Sequence, residues 1–404
     1  MTPSARIIQG EFEDLDLIIA DNFSRAAARA GVKHIIYLGG LVPDDYRLSR
    51  HLRSRLEVEQ SLSAHGVPVT ALRAGIVIGR DGSSYNMFKR FIQKSPIIPL
   101  SPWTSSLTQP IALPDALALL KYPLQNPPGR TISFDIGSPS VVSYRDLLKK
   151  TAEVLGLKRI FFTLPLRSLL IPKYWLAAVS GYPMALVQPL LESMRHSMVA
   201  KNTRIQEDLG LKTLDLEQAI RLAESTAAAP PRTNPDWTKY CDDSGRTCFT
   251  VRSVQRMPLP AGKNARWVAE EYAAWLPKFF RTLVKAEVDG QRNIRISLVF
   301  PKFLLLELTF AHDRSILDNR QLFFVTGGLL CRKDRRISGS GRARLEFREA
   351  LGSTCVLVAI HDYRPTLPWY VYSFTQALMH VFTMKHFTRH LAGIAKDKGL
   401  MSLR

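Results

Sequence analysis

These 404 residues offer no membrane-spanning run, no metal-ligand spacing and no disulfide framework. The most apolar stretch, 166–191, is interrupted by Pro172, Lys173, Pro183 and Pro189. A bilayer-crossing helix needs about 20 predominantly apolar residues without such breaks, so this stretch reads as lying on a membrane surface or covering a cleft. The four cysteines, Cys241, Cys248, Cys331 and Cys355, have no zinc spacing. Cys241 and Cys248 share a polar loop and could pair, but reduced thiols in a cytoplasmic protein are the plainer reading. The start, MTPSARIIQG, has neither an apolar signal core nor a lipidation motif. Acidic residues are few, 35 against 55 basic ones, for a net charge of +20. That balance favours anionic partners such as a nucleotide, nucleic acid or an acidic membrane surface, and says nothing about fold. The basic residues are spread out, with one denser run from Arg332 to Arg348, and read as solvated surface.

What is present falls into two parts. Asp16 to Ala30 carries Ile19, Phe23, Ala26, Ala27 and Ala30 at helical spacing, with Gly31 as the stop. A β-rich run, Val32 to Leu38, leads into Gly39-Gly40, which reads as a tight turn bringing backbone close to a ligand. Ser49 is the expected N-cap of a helix running to about Ala64. Pro68 to Gly79 is a second buried strand and its exit, and Thr108 to Tyr122 a short strand and helix. Thr131 to Pro139 is another strand, followed by a helix capped by Ser143. Strands alternating with helices imply a parallel sheet. The fold class is therefore α/β, a partial Rossmann-like sheet over residues 1–224. No G-x-G-x-x-G or G-x-x-G-x-x-G turn precedes it, so the chain is expected to be N-terminally truncated within that fold.

Small residues and prolines mark 225–240 as a linker. Beyond it, 241–404 reads as α+β: an aromatic helix over 264–280, several strand-like runs including Ala343 to Ala350 and Thr354 to Tyr363, and a long helix from about Leu367 to Leu391. A curved antiparallel sheet wrapped around the last helix, a helix-grip arrangement, would enclose an apolar cavity for a small apolar ligand. Trp369, Tyr370, Tyr372 and Phe374 read as core aromatics, so no nucleic-acid binding is expected. His312-Asp313 and His361-Asp362 are strand neighbours pointing to opposite faces and form no dyad. His386 and His390 lie one helical turn apart without an acidic neighbour, and no metal site is assigned.

The segments YLGGL, SRHLRSRLEVE, LRAGIVIG and QPIALPDAL, in that order and spacing, resemble the atypical short-chain dehydrogenase/reductase superfamily. Within it they are similar to bacterial NAD(P)-binding proteins like the dehydrogenase-like accessory subunit of respiratory complex I. The likeness covers roughly Leu15 to Ala223. Segments LLLELTF, RQLFFVTGGLL, GRARLEFREAL and IHDYRPTLPWYVY resemble an uncharacterised bacterial domain fused to such proteins. The first resemblance implies NAD or NADP as cofactor. It also implies a Tyr and a Lys four residues later on one helix, and their places are taken by His51 and Arg55. The expected catalytic pair is thus His51 and Arg55, and the cofactor contacts are Gly39, Gly40, Arg55, Ala74, Gly75 and Gly79. Tyr46 is a further hydroxyl near that cleft. The usual carbonyl-polarising Ser or Thr is replaced by Leu38-Gly39-Gly40, which disfavours ordinary alcohol–ketone chemistry. Two readings stay open. One is a weakly active or inactive NAD(P)-binding oxidoreductase-like protein. The other is a non-enzymatic scaffold, or a carrier of a lipid- or quinone-like molecule, acting in a complex or at an anionic membrane surface.

Overall fold

A computed structural model describes residues 7–9, 12–43, 48–80, 82–163, 170–225, 240–241, 247–248, 251–280, 284–331 and 343–397. The chain divides into two compact units, Ala20–Pro231 and a second made of Met1–Ile19 with Arg232–Arg404. The sequence had suggested boundaries at 1–224, 225–240 and 241–404. The difference at the start has a physical cause. Strand β1 (Ile7–Gln9) pairs in parallel with a strand beginning at Val251, and the helix after it, α1 (Phe12–Arg29), packs Leu17 and Ile18 against Val254, Leu357 and Ala359.

The α/β unit repeats strand and helix. It runs through β2 (Ile35–Gly40), α2 (Arg50–Ser63), β3 (Val69–Ala74), β4 (Val77–Ile78), α3 (Ser83–Lys94) and β5 (Ile97–Leu100). Next come β6 (Leu107–Thr108), β7 (Ile111–Ala112), α4 (Leu113–Gln125), β8 (Ile132–Ile136), β9 (Val142–Ser143), α5 (Tyr144–Val154) and β10 (Ile160–Thr163). Helices α6 (Leu170–Ser180), α7 (Met184–Ser193), α8 (Arg204–Asp208) and α9 (Leu216–Ser225) finish it. Strands β2, β3 and β8 form a three-stranded parallel sheet with β3 in the middle. Two further parallel pairs, β4 with β7 and β5 with β10, extend the α/β character. The fold is Rossmann-like. Ser49 and Ser143 cap α2 and α5 as their sequence positions suggest, accepting from the backbone N–H of Leu52 and Asp146.

The second unit has a small antiparallel pair, β11 (Tyr240–Cys241) with β12 (Thr247–Cys248). It then runs β13 (Val251–Pro258), α10 (Ala265–Phe279), β14 (Val284–Val288), β15 (Ile294–Leu298), β16 (Leu304–Phe310), β17 (Arg320–Gly327), β18 (Arg344–Ala350) and β19 (Cys355–Tyr363). Helices α11 (Trp369–Phe374) and α12 (Gln376–Asp397) close it. The sheet order is β1-β13-β19-β18-β17-β16-β15-β14, antiparallel throughout except for β1, and it forms a half-barrel. Period-two alternation separates its faces. Leu345, Phe347, Val356 and Val358 face the core with Tyr272 of α10 and Met384, Phe387 and Leu391 of α12. Residues one step out of phase, Leu357, Ala359 and Val254, meet Leu17 and Ile18 of α1 on the other face.

That outer face also holds a buried charge cluster. Glu346, 1% exposed, accepts from the guanidinium groups of Arg348 and Arg320, the latter at 2.6 Å, and its Oε2 lies 3.2 Å from His361 Nε2. Burial alone would raise the Glu346 carboxyl. The His361 hydrogen bond and the two guanidinium charges outweigh it and hold the group well below the usual carboxylate range. The sequence had suggested a solvated basic run at Arg332–Arg348. Arg348 is instead buried, because Glu346 neutralises it. Glu346→Ala would leave that cation uncompensated and is expected to cost about 3–5 kcal/mol in denaturant unfolding. Because the native carboxyl titrates low, this contribution is present above about pH 4.5 and is lost as pH falls below it. A loss under about 1 kcal/mol would contradict the role given to Glu346.

Candidate functional site

In parallel α/β sheets ligands bind beyond the carboxyl ends of the strands. Here those ends belong to β2, β3 and β8, and the register sets Gly39 beside Arg73 and Gly40 beside Ala74. The turn expected at Gly39-Gly40 is not formed. Both glycines continue β2, because β3 keeps supplying partners, and Leu41 still donates its N–H to the Ala74 carbonyl at 3.0 Å. Glycine at 39 instead makes room for a side chain: a Cβ there would stand 2.8 Å from the Tyr37 ring.

The structure brings Gly40 and Arg55 together. The aliphatic stem of Arg55, on α2, passes 3.8 Å from where a Gly40 Cβ would lie. Among the described residues, the Arg55 guanidinium has no hydrogen-bond or ion-pair partner. His51 sits one turn earlier on the same helix, partly exposed. Burial first, and then the neighbouring Arg55 charge, push its imidazole down to about 4. His51 is therefore neutral at physiological pH, able to accept or donate a hydrogen bond but carrying no proton to give.

The other expected contacts are packed against protein. Ala74 is buried within β3. A Cβ on Gly75 would approach the Gln109 carbonyl oxygen to 3.0 Å, and one on Gly79 would approach Leu113 Cβ to 2.9 Å. These two glycines serve close chain approach. Tyr46 lies outside the described residues. Gln109, quoted above for its family likeness, ties loops together: its Nε2 donates to the Ser138 carbonyl and its Oε1 accepts from Ala200 N–H. Asp115 likewise accepts from Leu214 N–H. Sequence reasoning missed Arg73, which forms a bidentate pair with Glu59 at 2.9 and 2.8 Å and fastens α2 to β3. The opposite charges fourteen residues apart were visible, but their meeting depends on the βαβ crossover.

A nicotinamide dinucleotide needs a ribose partner and a cradle for its diphosphate. Arg55 beside the bare backbone of Gly40 fits a ribose hydroxyl or a phosphate oxygen. The described residues supply no G-x-x-G-x-x-G turn for the diphosphate. The fit is partial, and the chemistry assigned to this site stays with Arg55 and His51.

The second concave feature lies in the antiparallel unit. A cavity of about 900 Å³ separates the inner sheet face from α12, lined by Ile296, Leu306, Leu345, Ile360, Tyr272 and Met384 among others. Two polar side chains meet in its wall, His380 Nε2 with Ser253 Oγ at 3.1 Å. Burial pushes the His380 imidazole down to about 4. The remaining histidines have partners elsewhere. His390 contacts Glu271 Oε1 at 2.7 Å and His361 contacts Glu346, while Asp362 pairs with Arg344 at 2.9 Å. Among the described residues no group of three His, Cys, Asp or Glu could hold a metal ion, and no helix is long and apolar enough to cross a membrane.

The His51 assignment has a direct check. Its imidazole resonances are expected to titrate with a midpoint near pH 4, and Arg55→Ala is expected to move that midpoint upward. A native pKa below the unfolded 6.5 means that His51 supports the fold above pH 6.5. That support fades as pH falls from 6.5 towards 4. A midpoint near 6.5 in the folded protein would contradict the burial described.

No family model matches the chain, and no curated protein matches it. Solved structures do. The triphenylmethane reductase of Citrobacter sp. is 19% identical, covers 54% of this chain and 74% of its own, and superposes with a TM-score of 0.42. UDP-N-acetylglucosamine 4-epimerase from Bacillus cereus is 16% identical over 53% of this chain and 72% of its own, with a TM-score of 0.39. Thermus thermophilus UDP-glucose 4-epimerase, in complex with NAD, is 15% identical over 52% and 68%, with a TM-score of 0.38. The matched region extends over about half of the chain.

Proposed function

We propose that this chain is a nicotinamide-nucleotide-binding protein of short-chain dehydrogenase type that does not run ordinary alcohol–ketone hydride transfer, joined to a unit that carries a small apolar ligand. The observation that carries the first part is the pairing at the end of β2. The stem of Arg55, whose guanidinium has no partner among the described residues, passes the bare backbone of Gly40, one helical turn from a neutral His51. A general acid for carbonyl reduction must deliver a proton near neutral pH. His51 titrates far too low to store one, and Arg55 stays protonated. What remains is recognition: Arg55 holds a ribose or phosphate oxygen, and His51 offers one neutral hydrogen bond beside it. NAD and NADP both meet that description, and the 2′-phosphate of NADP gives Arg55 more to hold.

A specific observation favours the carrier reading of the antiparallel unit, which takes the helix-grip expectation as its frame. Protein interiors hold few voids larger than a water molecule, and an apolar hollow of about 900 Å³ is in the upper range of small-molecule sites. Phe374, Leu378, Met379 and Phe382 line it while remaining half or more exposed. An apolar rim of that kind suits loading from a lipid phase, and the net charge of +20 suits an anionic one.

Thermal unfolding with NADPH and NADH tests the nucleotide part. Saturation at about 100 times the dissociation constant is expected to add about 2.7 kcal/mol of stability. Arg55→Ala should abolish most of the shift while leaving the ligand-free midpoint nearly unchanged. No shift with either nucleotide at millimolar concentration would contradict the proposal.

A further inference from the structure

Resting on the carrier reading above, we propose that the antiparallel unit takes a neutral lipophile with one hydrogen-bond-accepting oxygen, a ketone, quinone, ester or alcohol, which docks that oxygen on the Ser253–His380 pair. The cavity wall contains no Asp, Glu, Lys or Arg among the described residues. A carboxylate or an ammonium inside it would have no counter-charge, and burying an unpaired charge is prohibitive. The part of the ligand inside the hollow is therefore uncharged.

Several polar groups of the wall are already engaged with the protein, while Gln376 Oε1 and the Tyr272 hydroxyl have no hydrogen-bond partner among the described residues. Thr375 and Thr383 donate to the carbonyls of Val371 and Met379 on their own helices, at 2.6 and 2.9 Å. Tyr363 donates to the Leu330 carbonyl at 2.6 Å, and Gln376 Nε2 donates to the Tyr363 hydroxyl. Ser253 and His380 differ. Ser253 Oγ accepts from Gln255 Nε2 at 2.7 Å and meets His380 Nε2 at 3.1 Å. One lone pair of the hydroxyl is thus taken by Gln255.

Counting protons decides what is left. If Ser253 donates to Nε2, the imidazole carries its proton on Nδ1 and that N–H is unused. If Nε2 carries the proton and donates to Oγ, both oxygen lone pairs are taken and the serine O–H is unused. Either tautomer leaves the pair with one spare donor and one spare acceptor, on Oγ or Nδ1, in a largely apolar wall. Burial keeps the imidazole neutral, so the count holds at physiological pH. A donor buried without a partner is costly, and an acceptor oxygen on the ligand removes that cost. The β13–β19 register, which places Ser253 opposite Ile360, turns the pair towards the hollow, where both residues contribute to the lining.

Displacement of the neutral fluorophore N-phenyl-1-naphthylamine from the full chain tests this with decane, 2-decanone and decanoate. The ketone-to-alkane affinity ratio isolates the hydrogen bond once the ketone's weaker hydrophobic transfer is held constant, and decanoate should bind more weakly than the ketone. Ser253→Ala/His380→Phe, which removes both donors, should lower that ratio about five- to tenfold, the worth of one buried hydrogen bond, while decane binding holds. Circular dichroism and the unfolding midpoint report folding, and Ser253→Ala/His380→Leu carries the comparison if the first double variant does not fold. A ketone-to-alkane ratio unchanged by the double substitution would overturn the polar anchor and leave the carrier reading standing. Failure of the fluorophore and all three probes to bind would overturn both.

Discussion

An antiparallel sheet with a period of two must send alternate residues to opposite faces, and the second unit is organised by that constraint. Its inner face is apolar and only partly filled. Tyr272, Phe347 and Phe387 pack closely, with ring centroids 5.4 and 5.1 Å from Tyr272, yet a hollow remains between the sheet and α12. Atoms lining an empty hollow forgo dispersion contacts on one side, so the unfilled state is the less stable one. The outer face holds the opposite chemistry. The buried carboxylate of Glu346 takes the guanidinium groups of Arg348 and Arg320 beside His361, and the first half of α1 contributes Leu17, Ile18 and the Asp14–Arg256 ion pair at 2.9 Å. A sheet anchored on its outer face can keep its inner face open for a ligand.

The α/β unit follows a different rule. Parallel strands are covered on both faces by helices, and its glycines mark where that packing is tightest. Gly75 admits the Gln109 carbonyl, and Gly79 admits Leu113. Gly40 alone among the expected contacts faces a cationic side chain, that of Arg55. The superfamily resemblance pointed to a reaction centre at His51 and Arg55. Under the function proposed above they serve recognition instead, since burial and the neighbouring guanidinium hold the His51 imidazole low.

Local signals in the chain were legible where local physics decided the outcome. The caps Ser49 and Ser143, the left-handed Gly31 after α1, and the alternation in β18 and β19 all appear where their sequence chemistry places them. Gly39-Gly40 went the other way: two glycines look like a turn, but six consecutive partners on β3 hold them extended. The role of residues 7–19 was hidden because β1 pairs with a strand more than two hundred residues later, and nothing local encodes that. The Glu271 partner of His390 was hidden for the same reason, being 119 positions away; Arg348 has its partner Glu346 two residues along the same strand, and only the sheet around them buries the pair. The cavity was legible as topology, a helix against a curved sheet. Its polar pair was not, because Ser253 and His380 stand 127 positions apart.

The account depends most on whether the hollow of the antiparallel unit is occupied. Native mass spectrometry of the full chain, purified without detergent or organic solvent, tests this directly. The expected result is a population heavier than the bare chain by a discrete small-molecule increment, which organic extraction removes and which is uncharged when released. A single bare-chain mass under conditions that preserve other weak lipid complexes, with no uptake when neutral lipophiles are added back, would contradict it.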